Sequence, residues 1–485
     1  MADNVKRIKW KKSDFVKQAI LLIFQFMVLA CLVVATVFLT NGGLNGVKEF
    51  FNDEENIKMF VFACVITALL IITTFVYFYH VKSDFIHKAS NVFMIYSILI
   101  ISVIASYVFG KINIYFRPFS LCCLLILYVT DKRSAVFMSI IYASFMLVID
   151  IFTYGLIDIP IICALMSIVT GIIAIFLIDG KGSRLKVLSM GVIISLPVII
   201  MALCLEVSNE VSNTLHCVLF ALGSGILADS LFIVILPIIE VLFGAITDFR
   251  LSELTDHKVK LIKNLMLTAP GTFNHTILVA SLSEACGNAI GENPLLARAC
   301  AYYHDVGKLK NPEYFAENQV DGNPHDDLLP ELSTDIIKAH ARDGAELIRK
   351  RRLPTVLSDA AEQHHGTLPI KYFYAKAKKF TDGDLDIEDF CYAGPKPQTK
   401  INAIIMICDA SEAKVRTISN RTHENVDKAV REIIEERIEL EQFTECDITL
   451  RELDIIRHTI TDTLAGVYHG RVKYPKLKVG GKNAN

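Results

Sequence analysis

The sequence predicts an all-α chain in two parts, a polytopic helical membrane domain followed by a cytosolic all-α domain. Three observations carry this expectation. Residues 16 to about 246 are dominated by Leu, Ile, Val, Phe and Ala in runs of membrane-spanning length, whereas the remainder holds most of the charge. Beyond residue 247, apolar positions recur at spacings of three and four with charges between them. No alternating strand pattern persists there. The formal net charge of −2 over 485 residues therefore averages two unlike halves.

In chain order, a basic leader (residues 1–15) precedes apolar runs near 16–40, 58–80, 91–110, 115–130, 134–154, 158–179, 186–206 and 214–246, about eight spans within a membrane domain of residues 16–246. The fourth run is shorter than the roughly 20 residues a crossing helix needs and starts beside Arg117, so a re-entrant segment is its alternative. The first run has a long apolar part and no clear small-x-small cleavage site, which favours a retained anchor over a cleaved signal. Lys and Arg near helix ends mark the cytoplasmic side. They concentrate in the leader, at Lys82 and Lys88, at Lys132 and Arg133, and in "DGKGSRLK", while "NDEEN" and "EVSNEVSN" alternate with them. Lys48, Lys58, Lys111 and Arg117 run against that trend. An even number of spans places both the N-terminus and the C-terminal half in the cytoplasm of a multi-pass cell-membrane protein.

Seven of the twelve cysteines lie in the apolar runs, and the five beyond them have no CxxC spacing, so a disulfide framework is not expected. Asp150 and Asp229 lie within or at the edge of apolar runs, where an ionised carboxylate is costly unless paired or wet. A packing or interfacial role is expected ahead of ligand sensing.

Residues 247–268 read as a helical linker. The helices that follow are punctuated at Pro294, Gly307, Pro312, Pro324, Pro354, Gly366 and Pro369. A basic tail, 471–485, closes the chain and is expected to be solvated. Five histidines and two aspartates sit on or at the ends of these helices, in the order His275, His304-Asp305, His340, His364-His365 and Asp409. Isolated residues of these kinds are usually packed or solvated. As an ordered set beside apolar stretches such as "IIMIC", they are polar groups delivered to what would otherwise be core, and bound metal ions could satisfy many at once. Imidazole and carboxylate without thiolate suit iron, manganese, zinc or nickel. Seven ligands are too many for one tetrahedral ion and suggest two ions sharing a carboxylate, the arrangement that serves phosphoester cleavage.

These residues and their surroundings, "APGTFNHTILVASL", "NPLLARACAYYHDVGKLKNPEYFAENQ", "NPHDDL", "EQHHGT", "IKYFYAKA" and "GPKPQTK", resemble the seven-transmembrane receptors with an intracellular HD hydrolase, whose PgpH-type members cleave cyclic di-AMP. "LPIIEVLFGAITDFRLSEL" resembles the junction between that family's last span and its HD domain, and the likeness covers most of residues 58–470. It implies an HD phosphohydrolase domain over 269–470. It further implies a membrane-bound phosphodiesterase that converts cyclic di-AMP to pApA through a hydroxide activated by a dinuclear metal. His275, His304, Asp305 and Asp409 would hold one ion, and Asp305, His340, His364 and His365 the other, with manganese or iron foremost. Asp305 would bridge the pair, Lys308 would face the phosphate, and Lys308 and Arg342 would bind substrate, with "GPKPQTK" lining the nucleotide pocket. Partners implied are the cyclic dinucleotide and the lipid bilayer, with room for a homodimer and no nucleic-acid polymer. Alternatives are cyclic di-GMP or another nucleotide as substrate, or a membrane nucleotide sensor without turnover. Two departures stand out: only about 17 residues, 41–57, occupy the place of the family's sizeable extracellular domain, and Asn274 stands where relatives often have a second His.

Overall fold

A computed structural model describes residues 11–467 apart from 41–42, 156–157, 179–183, 207–210, 321 and 381–383. Most of the basic leader, part of "DGKGSRLK" and the basic tail lie outside the described residues. The chain divides into two compact units, Met1–Arg250 and Leu251–Asn485.

The first unit contains α1 (Lys12–Thr40), α2 (Leu44–Phe50), α3 (Glu54–Val81), α4 (Ser83–His87), α5 (Ala89–Gly110), α6 (Leu121–Val129), α7 (Lys132–Tyr154), α8 (Asp158–Leu177), α9 (Arg184–Ile194), α10 (Leu196–Glu206) and α11 (Val211–Phe243). By length and composition seven helical segments can cross a membrane, with α9 and α10 together forming one of them. The fourth expected run, 115–130, forms only the nine-residue α6, about 13 Å long at the usual helical rise.

Contacts at the helix ends show how α6 is used. At one end of the bundle His87 Nε2 lies 3.4 Å from Asp14, Lys82 Nζ lies 2.6 Å from Asp131, and Ser90 donates to the Phe243 carbonyl at 3.4 Å. At the other, Tyr154 donates to the Gly110 carbonyl at 3.3 Å, and Tyr115 donates to Glu206 at 3.0 Å. Between Gly110 and Asp131 the chain therefore travels from one end to the other, using residues 111–120 to make up the length that α6 lacks. Counted this way the chain passes between the two ends eight times, and α11 finishes at the end where α1 begins.

Arg117 belongs to the interior of this unit rather than to a solvated loop. Its guanidinium is buried and donates to both Asp150 oxygens, at 2.7 and 2.9 Å. A fork-to-carboxylate pair of this kind satisfies two charges that neither lipid nor core would tolerate singly. Gly110 makes the room, since a Cβ there would come within 2.5 Å of Arg117 Nε. Asp150 thus has the packing role expected of it. Asp229 does not share that arrangement: it is fully buried, and neither of its carboxylate oxygens meets a hydrogen-bond partner among the described residues.

The linker region forms α12 (Asp248–Leu254) and α13 (Lys260–Thr268). The second unit continues with α14 (Pro270–Ile290), α15 (Pro294–Tyr303), α16 (Pro330–Lys350), α17 (Thr355–Gln363), α18 (Lys371–Ala377), α19 (Lys400–Thr417), α20 (His423–Glu439) and α21 (Leu450–Val467). Among the described residues it has no β-strand, only an isolated bridge between Pro369 and Cys391. Prolines open α14, α15 and α16 at positions where the missing N–H costs nothing, and Asn293 and Thr399 cap α15 and α19 through side-chain oxygens. Residues Ile401 to Cys408 of α19 are buried on every face, which makes α19 the central helix of the unit. All twelve cysteines are free thiols.

Candidate metal centre

Five helices deliver the seven expected ligands to one place. His275 lies in the second turn of α14, His304 caps the end of α15 with Asp305 next to it, His340 is midway along α16, His364 and His365 follow α17, and Asp409 continues the buried face of α19. The turn carrying Asp305 must press against α16 for this to happen. Gly307 permits it, because a Cβ there would come within 1.9 Å of the His340 carbonyl oxygen.

Asp305 is the pivot. Its Oδ2 lies 3.3 Å from His304 Nε2 and 3.8 Å from His275 Nε2, while its Oδ1 lies 3.5 Å from His340 Nε2 and 3.7 Å from His364 Nε2. Asp409 Oδ1 is 3.0 Å from His275 Nε2 and 3.9 Å from His304 Nε2, and its Oδ2 is 3.9 Å from His365 Nδ1. The donor atoms of His275, His304 and Asp409 lie within 4.8 Å of one another, as do those of His340, His364 and His365. One carboxylate therefore addresses two imidazole sets with different oxygens.

The ring nitrogens facing away from the cluster are occupied. His304, His340 and His364 place Nδ1 at 2.6, 2.6 and 2.8 Å from the carbonyls of Ala301, Ile337 and Ala361, three residues back on their own helices. His275 differs, with Nδ1 at 2.5 Å from Glu412 Oε2. A neutral ring that donates from Nδ1 keeps its Nε2 lone pair for a metal ion.

Burial holds His340, His364 and His365 below the usual imidazole range, whereas at His275 burial is outweighed by the hydrogen bonds to Asp409 and Glu412, which raise it to about 10. Burial, reinforced by the His304 and His340 charges, pushes His364 down to about 3, and burial with His364 and His340 beside it holds His365 well below the usual imidazole range. Burial alone would raise the Asp305 carboxyl, but Lys308 and the His304 ring hold it well below the usual carboxylate range. Burial likewise would raise Asp409, and the hydrogen bond and charge of His275 outweigh it. Neutral imidazole and ionised carboxylate are the forms that ligate metals.

Lys308 approaches Asp305 Oδ2 at 2.7 Å and Glu317 at 2.9 Å, with its ammonium 4.9 Å above the Phe315 ring. Arg342 is exposed on α16 and makes no ion pair among the described residues. In "GPKPQTK", the Gln398 N–H donates to Gln363 at 3.0 Å, and Thr399 caps α19. Three neighbours of the cluster escaped the sequence reading. These are Glu412, Glu317 and Tyr392, whose ring stacks on His365 with centroids 4.3 Å apart. The only sequence signal for Glu412 is its spacing of three from Asp409 on one helix.

The donor set fits a pair of divalent ions. Among the described residues His304 Nε2 and Asp305 Oδ1 are buried without a hydrogen-bond partner, a cost of about 1–3 kcal/mol or more apiece that bound cations would remove, while Asp305 Oδ2 meets the Lys308 ammonium at 2.7 Å. Nitrogen and carboxylate oxygen without sulfur match transition-metal ions.

Residues 57–247 match the family described as "7TM receptor with intracellular HD hydrolase", and residues 272–414 match the HD domain. The chain belongs to the 7TM receptors with an intracellular HD hydrolase. Among curated members of this 7TM HD hydrolase family, it is similar to the cyclic-di-AMP phosphodiesterase PgpH of Bacillus subtilis, 36% identical over 84% of this chain and 59% of the relative. It is also similar to PgpH of Listeria monocytogenes, 42% identical over 64% of this chain and 44% of the relative. The chain thus spans less than two thirds of the length of either. A crystal structure of the Listeria PgpH HD domain is 48% identical over 44% of this chain and 100% of that one, with a TM-score of 0.42.

Proposed function

We propose that the chain is a membrane-bound, metal-dependent phosphodiesterase that hydrolyses cyclic di-AMP to pApA. The observation that carries the hydrolytic reading is Asp305, one buried carboxylate with Oδ2 turned to His275 and His304 and Oδ1 to His340 and His364. The choice of cyclic di-AMP rests on the names of the Bacillus and Listeria relatives and on a Listeria PgpH HD domain crystallised with that nucleotide. Residues 269–470 would form the HD domain, facing the cytoplasm, and residues 16–246 the membrane domain that regulates it.

In this reading His275, His304 and Asp409 would hold one ion and His340, His364 and His365 the other, with Asp305 contributing to both, and manganese or iron would match the donors best. Such a pair supplies an acidified water at neutral pH and neutralises charge on the reacting phosphodiester. The chain's own side chains do the rest. Nδ1 hydrogen bonds lock four of the five imidazoles before substrate arrives, so little reorganisation accompanies the reaction. Lys308 stays protonated in its buried position, because Asp305 and Glu317 outweigh the effect of burial, and offers a fixed positive charge to a phosphate oxygen. Glu317 also accepts from the Thr272 hydroxyl at 2.8 Å, which ties the lysine to the start of α14. Arg342, exposed and without an ion pair among the described residues, is available to a second phosphate.

The test compares cyclic di-AMP with cyclic di-GMP as substrates of the full chain in detergent micelles, supplied in turn with Mn2+, Fe2+ and EDTA. Conversion of cyclic di-AMP to pApA that requires metal and exceeds cyclic di-GMP turnover is expected. Tight nucleotide binding with no cleavage under any metal would replace the enzyme with a sensor.

A further inference from the structure

We propose that Glu412 is a positioning residue that braces His275 and makes the His275 half of the centre bind its ion more tightly than the His340 half. The proposal rests on the two-ion reading above. Four cluster imidazoles have Nδ1 engaged, and three of them use neutral backbone carbonyls of their own helices. His275 alone of the four is backed by a carboxylate, at 2.5 Å, and that carboxylate is 3% exposed, so bulk water does not share its charge.

The consequence is electronic as well as geometric. An N–H···carboxylate bond withdraws the Nδ1 proton towards oxygen and raises electron density at Nε2, so the ring becomes a stronger donor than a carbonyl-backed one. That Nε2 is directed at Asp409 Oδ1, 3.0 Å away, and towards Asp305. Glu412 follows Asp409 by three residues on α19, so one rigid helix supplies both a ligand and the brace for its neighbouring ligand. Among the described residues the opposite half has no such brace: His340 and His364 lean on carbonyls, and His365 stacks on Tyr392.

The experiment titrates Mn2+ into the metal-stripped full chain in detergent micelles and follows heat and the Mn2+ spin-resonance signal. The native chain is expected to show two classes of site. E412Q, which keeps the shape and removes the charge, is expected to weaken the tighter class by about 10–100-fold and leave the other unchanged. In an H275A background E412Q should add nothing. Equal weakening of both classes, no weakening, or a further loss in H275A would overturn the proposal. Should E412Q melt below the native chain in EDTA, E412D serves instead: it keeps the charge and draws it away from Nδ1, and native affinity in the tighter class would overturn the proposal. A native chain that binds a single ion removes the two-ion reading itself, whereas two native ions with E412Q unaffected remove only the role of Glu412.

Discussion

Lys308 is the residue whose role depends most on its surroundings. Its ammonium is held between Asp305 and Glu317 above Phe315, so it can face a phosphate without losing its proton. K308A is expected to lower kcat by about 10²–10³-fold, the usual effect of removing one fixed donor to developing charge. Metal content should stay native, and a parallel loss of metal would make Lys308 a support for Asp305 instead. Residues of this kind differ in how far sequence reveals them. His304, His340 and Asp409 were legible because polar side chains beside apolar helical stretches demand partners. Glu412 was not, since a Glu on a helix reads as a solvated surface residue until α14 is known to cover it. Arg117 misled for the same reason: a base at the edge of an apolar run looks like a loop charge, and its partner Asp150 lies 33 residues away.

At the scale of elements, close approach sets the geometry. Gly307 lets the Asp305 turn touch α16, and G307A would force a methyl to 1.9 Å from the His340 carbonyl. Overpacking of this kind costs about 1–3 kcal/mol or more, so G307A should lower the melting point of the second unit and weaken metal binding together. Normal metal affinity in a fully stable G307A chain would contradict the packing described here. In the membrane half, Arg117 joins the stretch before α6 to Asp150 of α7. D150A strands a buried guanidinium and is expected to cost about 3–5 kcal/mol, read as a lower temperature at which the detergent-solubilised chain loses monodispersity. D229N should melt no lower than native, because both Asp229 oxygens are buried without a hydrogen-bond partner among the described residues and the substitution breaks no bond there. A clear drop for D229N would mean that its carboxylate is paired in the folded membrane half. The spans themselves were readable from hydropathy. The short fourth passage was not, because residues 111–120, with only a 3-10 turn at Ile114–Phe116, cover the length that hydropathy arguments assign to a helix.

For the whole molecule, the change in composition near residue 247 was legible at once, and the division at Arg250 follows it closely. The two family matches, 57–247 and 272–414, fall on either side of that division. Periodicity placed the helices of the second unit, but it could not show that α19 is the central one, since that depends on which helices surround it. The proposed chemistry turns on Asp305, one carboxylate between two candidate metal-binding sets. The direct test is the metal content and turnover of the full chain carrying D305A, measured beside the native chain after identical loading with Mn2+. The account predicts two ions per native chain, fewer in D305A, and cyclic di-AMP turnover reduced below detection. A D305A chain that keeps two ions and the native rate would contradict it.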